Sequence, residues 1–113
     1  MSQLIVSVSG IRGIVGETLT PAVVLQFAEA LGSYLGQGSR VALSRDNRPS
    51  GTMLGAAAAA GLLSVGSEVV DLGIATTPSV GVFVRENKPA GGIQILASHN
   101  PAPWNGLKLF GSD

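Results

Sequence analysis

The 113 residues carry seven basic and seven acidic side chains and only 12% charged residues overall, so no basic field exists to gather nucleic acid or an anionic membrane. The sequence has no cysteine and one histidine, which removes disulfides, thiolate metal sites and a zinc site built from this chain. A hydrophobic share of 45% at this length supports one domain with a substantial core.

In chain order, LIVSV (4–8) is short, β-branched and bounded by Ser-Gly, which predicts a strand. The start MSQLIVSVSG has neither a basic n-region nor a long apolar stretch, so a secretory signal is not expected and a cytoplasmic location is. The glycines of SGIRGIVG, at 10, 13 and 16, match no phosphate-binding fingerprint and read alone as a flexible turn. Arg12, held between two of them, lies close to the backbone path and is a candidate for meeting an anion.

Thr20-Pro21 opens a helix, with a capping hydroxyl followed by proline at the first helical position. Val24, Phe27, Leu31 and Leu35 then form one apolar stripe, and Gly36 and Gly38 end it. RVALS (40–44) is the second strand. It runs into Arg45-Asp46-Asn47-Arg48-Pro49, where Asp46 and Ser50 read as loop and capping residues and the arginines as possible phosphate partners. A chargeless helix follows through MLGAAAAAGLLSV. Its lack of a polar face predicts burial on most sides, and it is too short and too rich in small residues to span a membrane. SEVVDLG (67–73) is the third strand, and Thr77-Pro78 opens a third helix carrying Val80, Phe83 and Val84. GGIQILA (91–97) is a fourth strand, and LKLF (107–110) alternates like an edge strand.

Strands alternating with helices predict a three-layer α/β/α sandwich with a mainly parallel, mixed sheet of about four to five strands. In such sheets ligands gather outside the carboxyl ends of the strands. Two polar segments fall there, Arg45 to Ser50 and Ser98 to Asn105. The adjacent Ser98 and His99 do not form a hydrolase pair. Neighbouring side chains diverge, and no G-x-S-x-G elbow is present. Ser98 instead reads as an exposed hydroxyl on a proline-stiffened loop with His99, Lys108 and arginines nearby, a set suited to carrying phosphate.

Three segments together resemble the α-D-phosphohexomutases, the family of phosphoglucomutase, phosphomannomutase and phosphoglucosamine mutase. ASHNPAPWNGLKL resembles their active-serine loop, SGIRGIVGETLTP their N-terminal segment and SRDNRPSG their G-R-D-x-R-x-S-G loop, all in the family's order. Leu96 stands where the family usually has Thr, and Ser44 where it usually has Gly. The resemblance implies that residues 1–113 correspond to the family's first domain, that of the active serine.

By the same resemblance, Ser98 is the catalytic serine that carries the transferable phosphate, and its phosphate ligates a Mg²⁺ ion. Arg12 lies beside that phosphate, Lys108 is a general acid/base candidate, and His99 hydrogen-bonds within the site. Arg12, His99 and Lys108 are then the phosphate-binding set. The implied reaction moves phosphate between C1 and C6 of a hexose phosphate through a hexose 1,6-bisphosphate, which also serves as activator. The family's enzymes have four domains, and the aspartates that complete the Mg²⁺ site lie in the other three. Residues 1–113 alone are therefore expected to be inactive, to need the remaining domains as partners, and to self-associate through uncovered apolar surface. Neither nucleic acid nor a membrane is an expected partner. The alternative is a non-catalytic α/β binding or scaffold module derived from that domain.

Overall fold

The computed structural model describes residues 5–7, 10–96 and 104–111. The elements run β1 (Ile5–Ser7), β2 (Gly10–Ile14), α1 (Pro21–Leu35), β3 (Arg40–Arg45), α2 (Ser50–Ser64), β4 (Glu68–Ile74), α3 (Thr77–Asn87), β5 (Gly91–Ile95) and β6 (Trp104–Gly111). The six described strands form one sheet in the order β1-β2-β6-β5-β3-β4.

The α/β/α arrangement is as the sequence predicts, and the sheet is mixed. Parallel pairing is confined to β5-β3-β4, while β1, β2 and β6 join antiparallel. Connection length explains the division. Helices α2 and α3 make the long crossovers that parallel strands require, whereas the segments from β1 to β2 and from β5 to β6 are too short for one. The sheet is wider than four to five strands because residues 10–14, which read as a flexible turn, pair as β2. Gly13 has a structural reason there: a Cβ on it would stand 2.6 Å from Thr18 Oγ1 and 3.1 Å from the Leu19 backbone nitrogen. The alternating stretch 107–110 is also more than an edge. It belongs to the eight-residue β6, which lies between β2 and β5 in the interior of the sheet.

Helix α1 begins as its sequence dictates, with Val23 N donating to Thr20 Oγ1 at 3.2 Å. Its stripe packs on the sheet together with α2, and the core joins Val24 and Ala28 to Leu54, Ala58 and Leu62 and to Val41, Leu43, Ile93, Ile95 and Leu107. The α1–α2 crossing is close because Gly61 faces α1 directly, where a Cβ would lie 2.5 Å from the Leu25 carbonyl oxygen. The inner face of α2 combines Gly51, Gly55, Ala58 and Gly61 with Leu54 and Leu62. Burial on most sides is not what the structure shows: Thr52, Met53, Ala56, Ala60, Leu63 and Ser64 are exposed. The sequence pattern hid this because both faces of α2 are apolar or small, with Leu54 and Leu62 turned inward and Met53 and Leu63 outward. The connection β3-α2-β4 runs one way along the sheet and β4-α3-β5 returns past β3, so right-handed crossovers set α2 and α3 on opposite faces. Helix α3 is capped one residue earlier than its Thr-Pro signal indicates, by Thr76, whose Oγ1 accepts from Ser79 N at 3.2 Å.

Candidate active site

The parallel strands β3, β4 and β5 end together, and the chain leaves β3 and β4 toward opposite faces of the sheet. Such a divergence opens a crevice at the carboxyl ends. A cleft of about 460 Å³ lies there, lined by Ser44 to Asn47 from β3, Ile74 to Thr77 from β4 and the start of α3, and Gln94 to Leu96 from β5. Backbone bonds hold its rim. Asp46 N donates to Ile95 O at 2.9 Å and Ala75 N to Arg45 O at 3.0 Å.

The loop after β3 is built as its sequence predicts for Asp46. The Asp46 carboxylate accepts from Arg48 N at 3.2 Å, and Gly51 N donates to Arg48 O at 2.9 Å as α2 begins. Arg45 is half-buried against the first turns of α2, with its Cδ 3.2 Å from where a Cβ on Gly51 would stand. Ser50 does not act as the helix cap. The cap position is Pro49, which makes no side-chain capping bond, and Ser50 Oγ instead accepts from Asn105 Nδ2 at 2.8 Å.

That contact singles out Asn105, which the sequence places at the end of the polar segment Ser98 to Asn105, outside the strands. It is fully buried at the second position of β6. Its amide donates to Ser50, and its Oδ1 accepts from Gly106 N at 2.8 Å. A buried amide satisfied at both ends fixes the start of β6 to the start of α2. The signal for this in the sequence was the alternation of LKLF, which extends back through Asn105.

The four candidate site residues are described to different extents. Ser98 and His99 lie outside the described residues. The segment that carries them is bounded by Leu96, whose N donates to Gly106 O at 3.0 Å, and by Trp104, paired with Ile14 of β2. Arg12 is in β2 at the register position of Gly106, and Lys108 follows two residues along β6, exposed and paired with Gln94. The backbone positions of Arg12 and Lys108 and both ends of the segment bearing Ser98 and His99 therefore meet at one end of the sheet, beside the cleft.

Residues 3–113 match the family model described as phosphoglucomutase/phosphomannomutase, alpha/beta/alpha domain I. The chain belongs to this family. A phosphoglucosamine mutase of Pediococcus pentosaceus is 49% identical over 110 residues, covering 92% of this chain and 24% of its own length. A phosphoglucosamine/phosphogalactosamine mutase of Sulfurisphaera tokodaii is 46% identical over 104 residues, covering 92% of this chain and 23% of its own. Among solved structures, a phosphoglucomutase/phosphomannomutase family protein of Burkholderia thailandensis superposes with a TM-score of 0.80 at 35% identity, over 92% of this chain and 25% of that one. The chain thus spans about a quarter of the length of the curated relatives it matches. No described helix is long and apolar enough to cross a membrane.

Proposed function

We propose that this chain is the active-serine domain of a phosphohexomutase, in which Ser98 carries a phosphate between C1 and C6 of a hexose phosphate. What supports the reading is the convergence at one sheet end. Position 12, Lys108 and both ends of the segment that contains Ser98 come together from β2, β6 and β5. Phosphoryl transfer asks for positioning and charge neutralisation more than for covalent chemistry by the protein. One hydroxyl carrier, Ser98, with Arg12 as the cation and Lys108 as the proton-transferring group is a sufficient local set.

In the first half-reaction, the P–O bond to Ser98 breaks as a free sugar hydroxyl forms its own bond to phosphorus. The hydroxyl proton passes through Lys108, the general acid/base of the proposal, to the departing Ser98 oxygen. The resulting hexose 1,6-bisphosphate turns over in the site. Its other phosphate then returns to Ser98, and Lys108 returns the proton to the sugar oxygen left behind. Arg12 neutralises the phosphate in flight, and His99 orients the serine loop. Added hexose 1,6-bisphosphate is an activator because it rephosphorylates a Ser98 that has lost its group.

Among the described residues no three His, Asp or Glu side chains gather as a metal site. Mg²⁺ therefore has no fit to them. Its proposed donors, the phosphate on Ser98 and aspartates beyond this chain, lie outside them. The relatives' names make glucosamine phosphate the first substrate to test. In the phosphomutase that contains this domain, incubation with hexose 1,6-bisphosphate labelled in its phosphates should label Ser98, and Ser98→Ala should abolish both label and turnover. Full turnover by Ser98→Ala would remove the proposal and favour the non-catalytic module.

A further inference from the structure

The sheet face opposite the core holds a polar neighbour of Lys108 that the phosphoryl-transfer steps leave unused. Gln94 of β5 is paired directly with Lys108 of β6, and on its other side with Ser44 of β3. Its strand neighbours Ile93 and Ile95 both enter the core, so Gln94 faces the other way, and it lines the cleft of about 460 Å³. Gln94 is 6% exposed, and no described residue hydrogen-bonds its amide. Among the described residues, the unpartnered side-chain atom that is sealed from solvent is Ser67 Oγ. The polar atoms of Gln94 are therefore not sealed, and another group can reach them.

Buried side-chain amides are nearly always paired, so an unpaired one beside a cleft calls for a partner. Lys108 is the neighbour that fits. Directly opposed antiparallel residues stand about 5 Å apart at Cβ, within reach of long side chains. The Lys108 ammonium has donors and no acceptor, and Gln94 Oε1 is an acceptor. The nearest positions on the same face of β5 and β6 are Gly92, Gly106 and Phe110, none with a polar side chain, and Arg12, diagonally across on β2, has no acceptor to offer. Ser44, 3% exposed and also without a described partner, stands where its hydroxyl can take the amide N–H. That leaves Oε1 for Lys108. A neutral acceptor suits a lysine that must pass a proton on, because a carboxylate in its place would favour the charged ammonium and hold the proton there.

Resting on the phosphomutase reading above, we infer that Gln94 is a positioning residue for Lys108, its Oε1 anchoring the ammonium beside the reacting hydroxyl while Gln94 itself touches no substrate. The test uses the phosphomutase that contains this domain, with Gln94→Met, Lys108→Met and the double variant, and turnover of glucosamine 1-phosphate as the readout. Gln94→Met keeps the side-chain length and removes no hydrogen bond to a described residue, so its urea midpoint should equal or exceed that of the unmodified protein. Its kcat should fall roughly five- to tenfold, the worth of about one hydrogen bond, with KM within about twofold, because the lost contact is to a catalytic group and not to the substrate. In the Lys108→Met background the same change should alter kcat by less than about twofold, since nothing is left to position. Gln94→Leu, a second apolar replacement, should repeat the pattern. A kcat for Gln94→Met within about twofold of the unmodified protein overturns the positioning role. An equal loss in both backgrounds overturns it too, because a merely structural defect does not depend on Lys108. Either result leaves the phosphomutase reading intact. An unmodified protein that turns over no hexose phosphate removes both.

Discussion

Asn105→Ala is the most informative stability perturbation in this chain, because a single side chain joins β6 to α2. Its Nδ2 donates to Ser50 Oγ and its Oδ1 accepts from Gly106 N, both at 2.8 Å, with Asn105 fully buried. Truncation removes two hydrogen bonds worth about 1 kcal/mol each and leaves a buried backbone N–H without its partner, so the total loss should be about 2–4 kcal/mol. For a domain of this size that lowers Tm by at least about 10 °C. Ser50→Ala loses one bond and should cost about 1 kcal/mol. In the Asn105→Ala background the same change should cost almost nothing, a coupling of about 1 kcal/mol. Urea denaturation followed by circular dichroism measures all three variants. Additive effects, or an Asn105→Ala variant within about 0.5 kcal/mol of wild type, would refute the view that this amide ties the start of β6 in place.

Gly61→Ala improves helix propensity yet should destabilise by about 1–3 kcal/mol, since the added methyl meets the Leu25 carbonyl at 2.5 Å; chemical denaturation reads the sign. Lys108→Met should leave stability within about 0.5 kcal/mol, the side chain being exposed, while phosphoryl transfer in the phosphomutase falls at least about 100-fold; turnover near wild type would remove Lys108 from the proton step. A polypeptide of residues 1–113 supplied with Mg²⁺ should show no mutase activity in a coupled assay, and measurable conversion of a hexose 1-phosphate would contradict the need for donors outside it. The same polypeptide should self-associate through the exposed Tyr34, Met53 and Leu63 of α1 and α2, and Leu63→Glu should return it to a monomer in sedimentation velocity.

Local chemistry made α1, β3, β4, α3 and β5 legible. Thr-Pro starts, glycine stops and β-branched runs each act within a few residues, and the structure agrees with them closely. What local chemistry could not carry was pairing. Gly10 to Ile14 looks like a turn until β6 lies beside it, and Asn105-Gly106 looks like a turn until Ser50 supplies the partner for the amide. The outer face of α2 carries no charged stripe to mark it: Leu54 and Leu62 pack inward while the equally apolar Met53 and Leu63 stay exposed. The site was legible as motifs, through SHNP, NGLK and the Arg12 segment. Ser44 and Gln94 became visible only through the register that sets them side by side, although a lone glutamine in the buried run Gly91–Ile95 was a signal in the sequence itself.

Peptide mass mapping of the protein isolated from its source reads directly whether Ser98 carries phosphate. The tryptic peptide containing Ser98 should carry one added phosphate, located on that serine. A peptide that stays unmodified, even after incubation with hexose 1,6-bisphosphate, would contradict the account and leave the family fold without its chemistry.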